Sequence, residues 1–282
     1  VIILLFFYCK YLPLEVFVVC GRNIFSKFVA VKNVIMGSKK AIIIGATSGI
    51  GQEVARQLFR DGYTIGIAGR RIERLETLKQ ELGGSNVFVQ QIDVCEEDAA
   101  EKMLALIEEM GEVSLIFLAS GIGKQNAQLS PDIELATVRT NALGFTRMIG
   151  AAYRYFAEHG GGHIAAISSI AGTKGLGAAP AYSATKRFQN TYIQCLAQRA
   201  RMNGNKITFT DIRPGFVDTD LLAEGGKYPL LMDKAKVAVA IVRAIHRKKR
   251  VVTIDWRYRI LVFFWRLIPD CVWERMTALS VD

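Results

Sequence analysis

Short apolar runs and amphipathic stretches alternate along most of this chain. Residues 41–44, 64–68, 87–91, 115–118, 163–167, 207–211 and 251–254 are strand-length runs dominated by apolar side chains. Between them, residues 73–82, 98–110, 131–158, 181–202 and 233–247 repeat apolar positions at helical spacing. Strands that read as continuous apolar runs are buried on both faces, as in a parallel sheet covered by helices. Right-handed crossovers then join each strand to the next. The pattern predicts an α/β fold: a doubly wound, about seven-stranded parallel sheet with helices on both faces. No internal repeat or low-complexity linker interrupts it.

The first predicted strand runs straight into Gly45-Ala46-Thr47-Ser48-Gly49-Ile50-Gly51, and residues 52–59 follow with Val54, Ala55, Leu58 and Phe59 on one helical side. Strand, glycine-rich turn and helix make the setting in which a glycine pattern points to a nucleotide. Glycines let backbone approach a pyrophosphate, and a helix N-terminus offers free N–H groups and a positive dipole end. The spacing is Gly-x-x-x-Gly-x-Gly rather than the general Gly-x-Gly-x-x-Gly. Tight packing alone is the competing explanation.

Tyr182 and Lys186 stand four apart in Tyr-Ser-Ala-Thr-Lys. On a helix both fall on one face, about one turn apart. An ammonium beside a phenol favours the phenolate, so Lys186 is expected to lower the Tyr182 pKa and ready it for proton transfer. By itself the pair is equally a helix with one surface lysine.

Together these residues resemble the short-chain dehydrogenase/reductase family in its single-domain, Rossmann-type form. The likeness runs from about Lys39 to about Thr253. Asp93-Val94 ends the third strand, where the family's aspartate contacts adenine. Asn141 in Thr-Asn-Ala-Leu-Gly matches the family's helix asparagine, and Ile167-Ser168-Ser169 puts Ser169 at the catalytic serine. Arg213-Pro214-Gly215-Phe216-Val217-Asp218-Thr219 matches the segment beside the nicotinamide. One motif departs: Leu118-Ala119-Ser120-Gly121 stands where the family has Asn-Asn-Ala-Gly, so side-chain bonds bracing the sheet there do not carry over.

The resemblance implies hydride transfer between a nicotinamide and a carbonyl or secondary alcohol. Tyr182 would be the proton donor, Lys186 its partner and a ribose ligand, and Ser169 the donor to the substrate oxygen. Asn141 would hold a water linking Lys186 to solvent. Gly45, Thr47, Ser48, Gly49, Ile50, Gly51, Ser120 and Gly121 would line the cofactor, with Asp93 and Val94 at adenine and Pro214, Gly215, Val217 and Thr219 near the nicotinamide. An acidic residue ending the second strand would favour NAD; here Gly69 stands there, followed by Arg70 and Arg71. A guanidinium can fork onto a phosphate, so Arg70, with Arg71, predicts NADP(H) over NAD(H). The alternative is that these arginines begin a solvated helix.

Five scattered cysteines without Cys-x-x-Cys spacing suit a reducing cytoplasm, and three unclustered histidines suggest no metal site. The net charge of +10 gathers late, in His246-Arg247-Lys248-Lys249-Arg250 and Arg257, Arg259 and Arg266. A solvated basic face or an anionic membrane surface accounts for it better than nucleic acid. Three parts follow: a hydrophobic leader over 1–35, non-native or unstructured, ahead of Met36; a catalytic domain over 36–254; and a hydrophobic, basic tail over 255–282. The tail either packs over the cleft or a second subunit, or makes peripheral membrane contact. Residues 220–232 read as a lid in which the pair Gly225-Gly226 allows movement, with Leu221, Leu222, Leu230, Leu231 and Met232 either facing an apolar ligand or packing as ordinary helix residues. A homo-oligomer is expected through residues 131–158 and 181–202. Rival functions are a non-catalytic NADP(H)-binding redox sensor and a membrane-associated lipid-ketone reductase or scaffold; intact Ser169, Tyr182 and Lys186 argue for the enzyme.

Overall fold

The computed structural model describes residues 39–222 and 228–276. The 1–35 leader, Met36, and the glycine pair within the expected lid lie outside the described residues. Seven strands form one parallel sheet: β1 (Lys40–Ile44), β2 (Thr64–Gly69), β3 (Val87–Gln91), β4 (Leu115–Leu118), β5 (Gly162–Ile167), β6 (Ile207–Arg213) and β7 (Val251–Thr253). Their order is β3-β2-β1-β4-β5-β6-β7, so the winding reverses between β1 and β4. In such sheets ligands sit beyond the strand C-termini at that reversal.

The helices in chain order are α1 (Gly49–Arg60), α2 (Ile72–Glu81), α3 (Ala99–Met110), α4 (Pro131–Val138), α5 (Phe145–Glu158), α6 (Pro180–Met202), α7 (Lys234–His246), α8 (Trp256–Leu267) and α9 (Asp270–Trp273). A π-helical turn, Arg139–Gly144, separates α4 from α5, and a 3₁₀ turn, Ile170–Thr173, follows β5.

Strand side chains alternate between faces. On β1, Ile43 joins the core built with Leu58 of α1, Leu75 of α2 and Ile241 of α7. Ile42 and Ile44 join the opposite core with Leu106 of α3, Phe145 and Met148 of α5 and Ile193 of α6. Each wholly buried isoleucine contributes about 1.5–3 kcal/mol by leaving water. The C-terminal stretch belongs to the first core, which includes Tyr258, Val262, Trp265 and Trp273. Among the described residues no helix is long and apolar enough to cross a membrane.

Candidate active site

The β1–α1 turn sits at the sheet's reversal. The backbone N–H groups of Gly45 and Ala46 both donate to the Ala68 carbonyl, at 2.8 and 3.0 Å, folding the turn against β2. Glycine is required by contact: a Cβ on Gly45 would stand 2.6 Å from Ser120 N, and one on Gly51 would stand 2.1 Å from the Gly45 carbonyl oxygen. Ser48 caps α1 in extended backbone. The helix's first N–H groups, from Gly49 to Gly51, therefore face out of the turn. Thr219 lies across from Gly49, which has φ +58, with its methyl 3.3 Å from where a Cβ would be.

Of the two arginines expected at this end, Arg71 reaches the turn. Its Nη2 donates to Thr47 Oγ1 and to Ser48 Oγ, both at 2.9 Å. Arg70 contributes its carbonyl, which accepts from Gln91 Nε2 at 2.8 Å. Gly69 is fixed by packing, because a Cβ there would lie 2.6 Å from the Thr47 methyl. Asp93 and Val94 follow β3. Asp93 Oδ1 caps the Cys95 N–H at 3.0 Å, and the Val94 carbonyl accepts from Arg147 Nη1 at 2.8 Å.

Asn141 lies in the π-helical turn and is wholly buried. Its side chain clamps one residue: Oδ1 accepts from Ile122 N at 2.9 Å and Nδ2 donates to the Ile122 carbonyl at 2.7 Å. The extra residue of a π turn rotates Asn141 inward, and such turns recur at functional sites. Gly144 permits the turn's close approach to β3, since a Cβ would be 2.8 Å from the Val94 carbonyl oxygen.

Ser169, Tyr182 and Lys186 converge at the C-terminal end of β5. Ser169 caps the 3₁₀ turn by accepting from Ala171 N at 3.1 Å, and its hydroxyl is 3.4 Å from the Pro214 carbonyl. Its side chain also lies beside Tyr182, close enough to favour the phenolate. The buried Lys186 Nζ donates to Gln189 Oε1 at 3.0 Å and to the Ile167 carbonyl at 3.3 Å. It stands 5.6 Å from the centre of the Tyr182 ring. Gly121 leaves its bare side toward Asn141 Oδ1 and Lys186 Nζ, at 3.3 and 3.4 Å from a notional Cβ.

The electrostatics correct one expectation. Lys186 was expected to lower the Tyr182 pKa, yet the net direction is up: burial raises it, and the Ser169 hydrogen bond opposes that. Lys186 lies over the ring rather than at the phenol oxygen. Burial depresses Lys186 itself to about 8, with Asp211 opposing. Below pH 8 the lysine keeps its proton, so a charged donor faces the cleft there.

A family model described as short chain dehydrogenase matches residues 39–228. The chain belongs to the short-chain dehydrogenases. An uncharacterized oxidoreductase of Myxococcus xanthus is 30% identical over 245 residues, covering 85% of this chain and 96% of that protein. An NADP-dependent 3-hydroxy acid dehydrogenase of Escherichia coli K12 is 33% identical over 180 residues, covering 62% of this chain and 71% of that one. Among solved structures, an alcohol dehydrogenase of Thermococcus sibiricus complexed with 5-hydroxy-NADP superposes with a TM-score of 0.68 at 26% identity, over 77% of this chain and 96% of the other.

Within this short-chain dehydrogenase, Gln189, Asp211 and Gly123 also build the site, although no motif singled them out. Gln189 is wholly buried and bridges Lys186 to the Asn141 carbonyl, to which its Nε2 donates at 2.8 Å. Asp211, also wholly buried, accepts the Ser168 hydroxyl and, through Oδ2, Arg213 Nε and Nη2 at 2.8 and 2.6 Å. Gly123 lies under the Tyr182 ring, whose Cδ2 would be 2.5 Å from a Cβ there. Gly215 likewise makes room for the Tyr258 ring, 2.2 Å from a notional Cβ. A polar residue on the inward stripe of a helix or strand is the signal that could have drawn attention to Gln189 and Asp211. Of the lid residues read as either ligand-facing or packing, Met232 is buried in the core, while Leu221, Leu230 and Leu231 are exposed.

Proposed function

We propose that this short-chain dehydrogenase is an NADP(H)-dependent oxidoreductase that interconverts a carbonyl and a secondary alcohol on a hydrophobic substrate. The observation that carries the reading is the meeting of Ser169, Tyr182 and Lys186 at one strand end, with Asn141 turned toward them. The bare backbone at Gly45, Gly49 and Gly51, the open side of Gly121 and the outward N–H groups of α1 fit a dinucleotide. When bound, the nicotinamide supplies or accepts the hydride.

The chain's own residues handle the proton. In reduction the Tyr182 hydroxyl transfers its proton to the substrate oxygen as charge builds there. Ser169, beside Tyr182, donates a second hydrogen bond to that oxygen. Lys186, protonated below about pH 8, keeps a positive charge beside the Tyr182 ring and would bond the ribose. Asn141 fixes the loop at Ile122 opposite them. In oxidation the same groups work in reverse.

Preference for NADP(H) is supported by Arg71 at the phosphate end and by Gly69, where an aspartate would collide with Thr47. The descriptions of the E. coli and Thermococcus proteins point the same way. Exposed Leu221, Leu230 and Leu231 support an apolar substrate, and exposed Leu135, Val138 and Phe188 on α4 and α6 support a homo-oligomer. Residues 36–254 form the catalytic domain in this reading.

A screen of ketones and secondary alcohols, followed by the absorbance of reduced nicotinamide, tests it. Turnover of an apolar carbonyl with NADPH is expected. A folded, NADPH-binding protein that turns over none of them contradicts it.

A further inference from the structure

Helix α8 is amphipathic in two directions at once. Tyr258, Val262 and Trp265 point into the core. On the opposite side Trp256, Ile260, Phe263 and Leu267 form one stripe, with Phe264 beside it, by helical spacing. These side chains are open to solvent: Trp256 is 62%, Phe263 60%, Phe264 60% and Leu267 65% exposed. Arg259 and Arg266 border the stripe along one edge and Arg257 along the other, again by helical spacing. A helix held to the core by one face therefore presents a bulky apolar ridge between basic rails, parallel to the surface.

We infer that this ridge docks the protein onto an anionic lipid surface, with the aromatic side chains entering the headgroup boundary and the arginines on lipid phosphates. Large aromatics with flanking arginines are the chemistry of interfacial helices. Each basic residue near an anionic surface adds attraction, and the chain's net charge of +10 acts in the same sense. A second copy of the chain fits less well. A two-fold contact through the ridge would bring the rows of Arg259 and Arg266 together with like charge. The nearby acids are already engaged, Asp255 by Arg257 at 2.7 Å and Asp270 by Lys174. The core-facing side of the same helix, opposite the ridge, holds the segment assigned to substrate: Tyr258 Oη accepts from Phe216 N at 3.1 Å and is 2.8 Å from the Pro229 carbonyl. The docking does not rest on the function proposed above.

Vesicle flotation of the full chain tests the docking without reference to catalysis. The vesicles are phosphatidylcholine alone and phosphatidylcholine with phosphatidylserine. Flotation with the anionic vesicles is expected, falling with added salt. It should drop roughly tenfold or more in Phe263→Ser/Phe264→Ser and in Arg259→Glu/Arg266→Glu. Both variants alter solvent-facing side chains, and unchanged thermal unfolding shows that they fold. Three results overturn the inference: no flotation of the full chain with either vesicle; equal flotation of the serine variant, which assigns binding to another segment; or a dimer in solution that Phe263→Ser/Phe264→Ser converts to monomer without any vesicle binding.

Discussion

Gln189 and Asn141 are joined by a 2.8 Å hydrogen bond from the glutamine Nε2 to the asparagine backbone carbonyl. The other end of the same amide accepts from Lys186 Nζ at 3.0 Å. The resemblance assigns to Asn141 a water linking Lys186 to solvent; here a buried side chain already spans the gap. Around that ammonium stand the Tyr182 ring on α6 and, on β6, the Asp211 carboxylate, itself paired with Arg213.

Gln189 should therefore tune Lys186. Gln189→Leu removes one acceptor of the ammonium, leaving the Ile167 carbonyl and Asp211 to oppose burial, so the lysine pKa falls below its present value of about 8. The alkaline limb of NADPH affinity against pH should move down by roughly one unit, and up in Gln189→Glu. Superimposable profiles for all three proteins would contradict the coupling.

Linkage gives a second expectation for Lys186. Its pKa is 10.5 in the unfolded chain and about 8 in the fold, so the unfolded chain binds more protons between those values. Stability contributed by this group rises with pH across that window. Wild type should gain on Lys186→Met from pH 8 to 10.5, by up to roughly 3 kcal/mol in urea unfolding. A difference that stays flat with pH rules out the depressed lysine.

Arg71 is the residue through which the proposed cofactor choice is tested. Charge-assisted hydrogen bonds contribute about 1.5–3 kcal/mol, so Arg71→Ala should raise the KM for NADPH by about ten- to a hundredfold. The KM for NADH should change little. Equal losses with both cofactors would show that Arg71 merely braces Thr47 and Ser48.

Much of this architecture could be read from the chain because buried parallel strands are plain apolar runs. All seven strands fall where those runs lie, shifted by a residue or two at their ends. The stretch 131–158 was harder. Its apolar positions read as one helix, yet it breaks at Arg139–Gly144 into a π turn. That break depends on the contact of Gly144 with the Val94 carbonyl, a tertiary fact with no local period. Gln189 and Asp211 escaped notice for a related reason. A polar side chain at an inward position looks solvated until its partners, distant in sequence, are known. Arg70 and Arg71 were indistinguishable by position, and only the path from β2 into α2 turns Arg71 onto Thr47.

Asp211 tests the buried network beneath the site. Its carboxylate is wholly buried and holds both Arg213 and the Ser168 hydroxyl. Removing one partner of a buried pair strands the other, at a cost of about 3–5 kcal/mol. Asp211→Asn should lower urea stability by that order; a loss below roughly 1 kcal/mol would mean that water already screens the pair.

The most direct test compares Tyr182→Phe with wild type in single-turnover hydride transfer and NADPH binding, using any carbonyl found to be reduced. The phenol lies beside Ser169, the group that opposes the rise in its pKa. The variant should bind NADPH within roughly threefold of wild type and lose at least about a thousandfold in hydride transfer, the scale set by a positioned general acid. Hydride transfer within tenfold of wild type would contradict the assignment of Tyr182 as proton donor, and with it the chemistry proposed for this site.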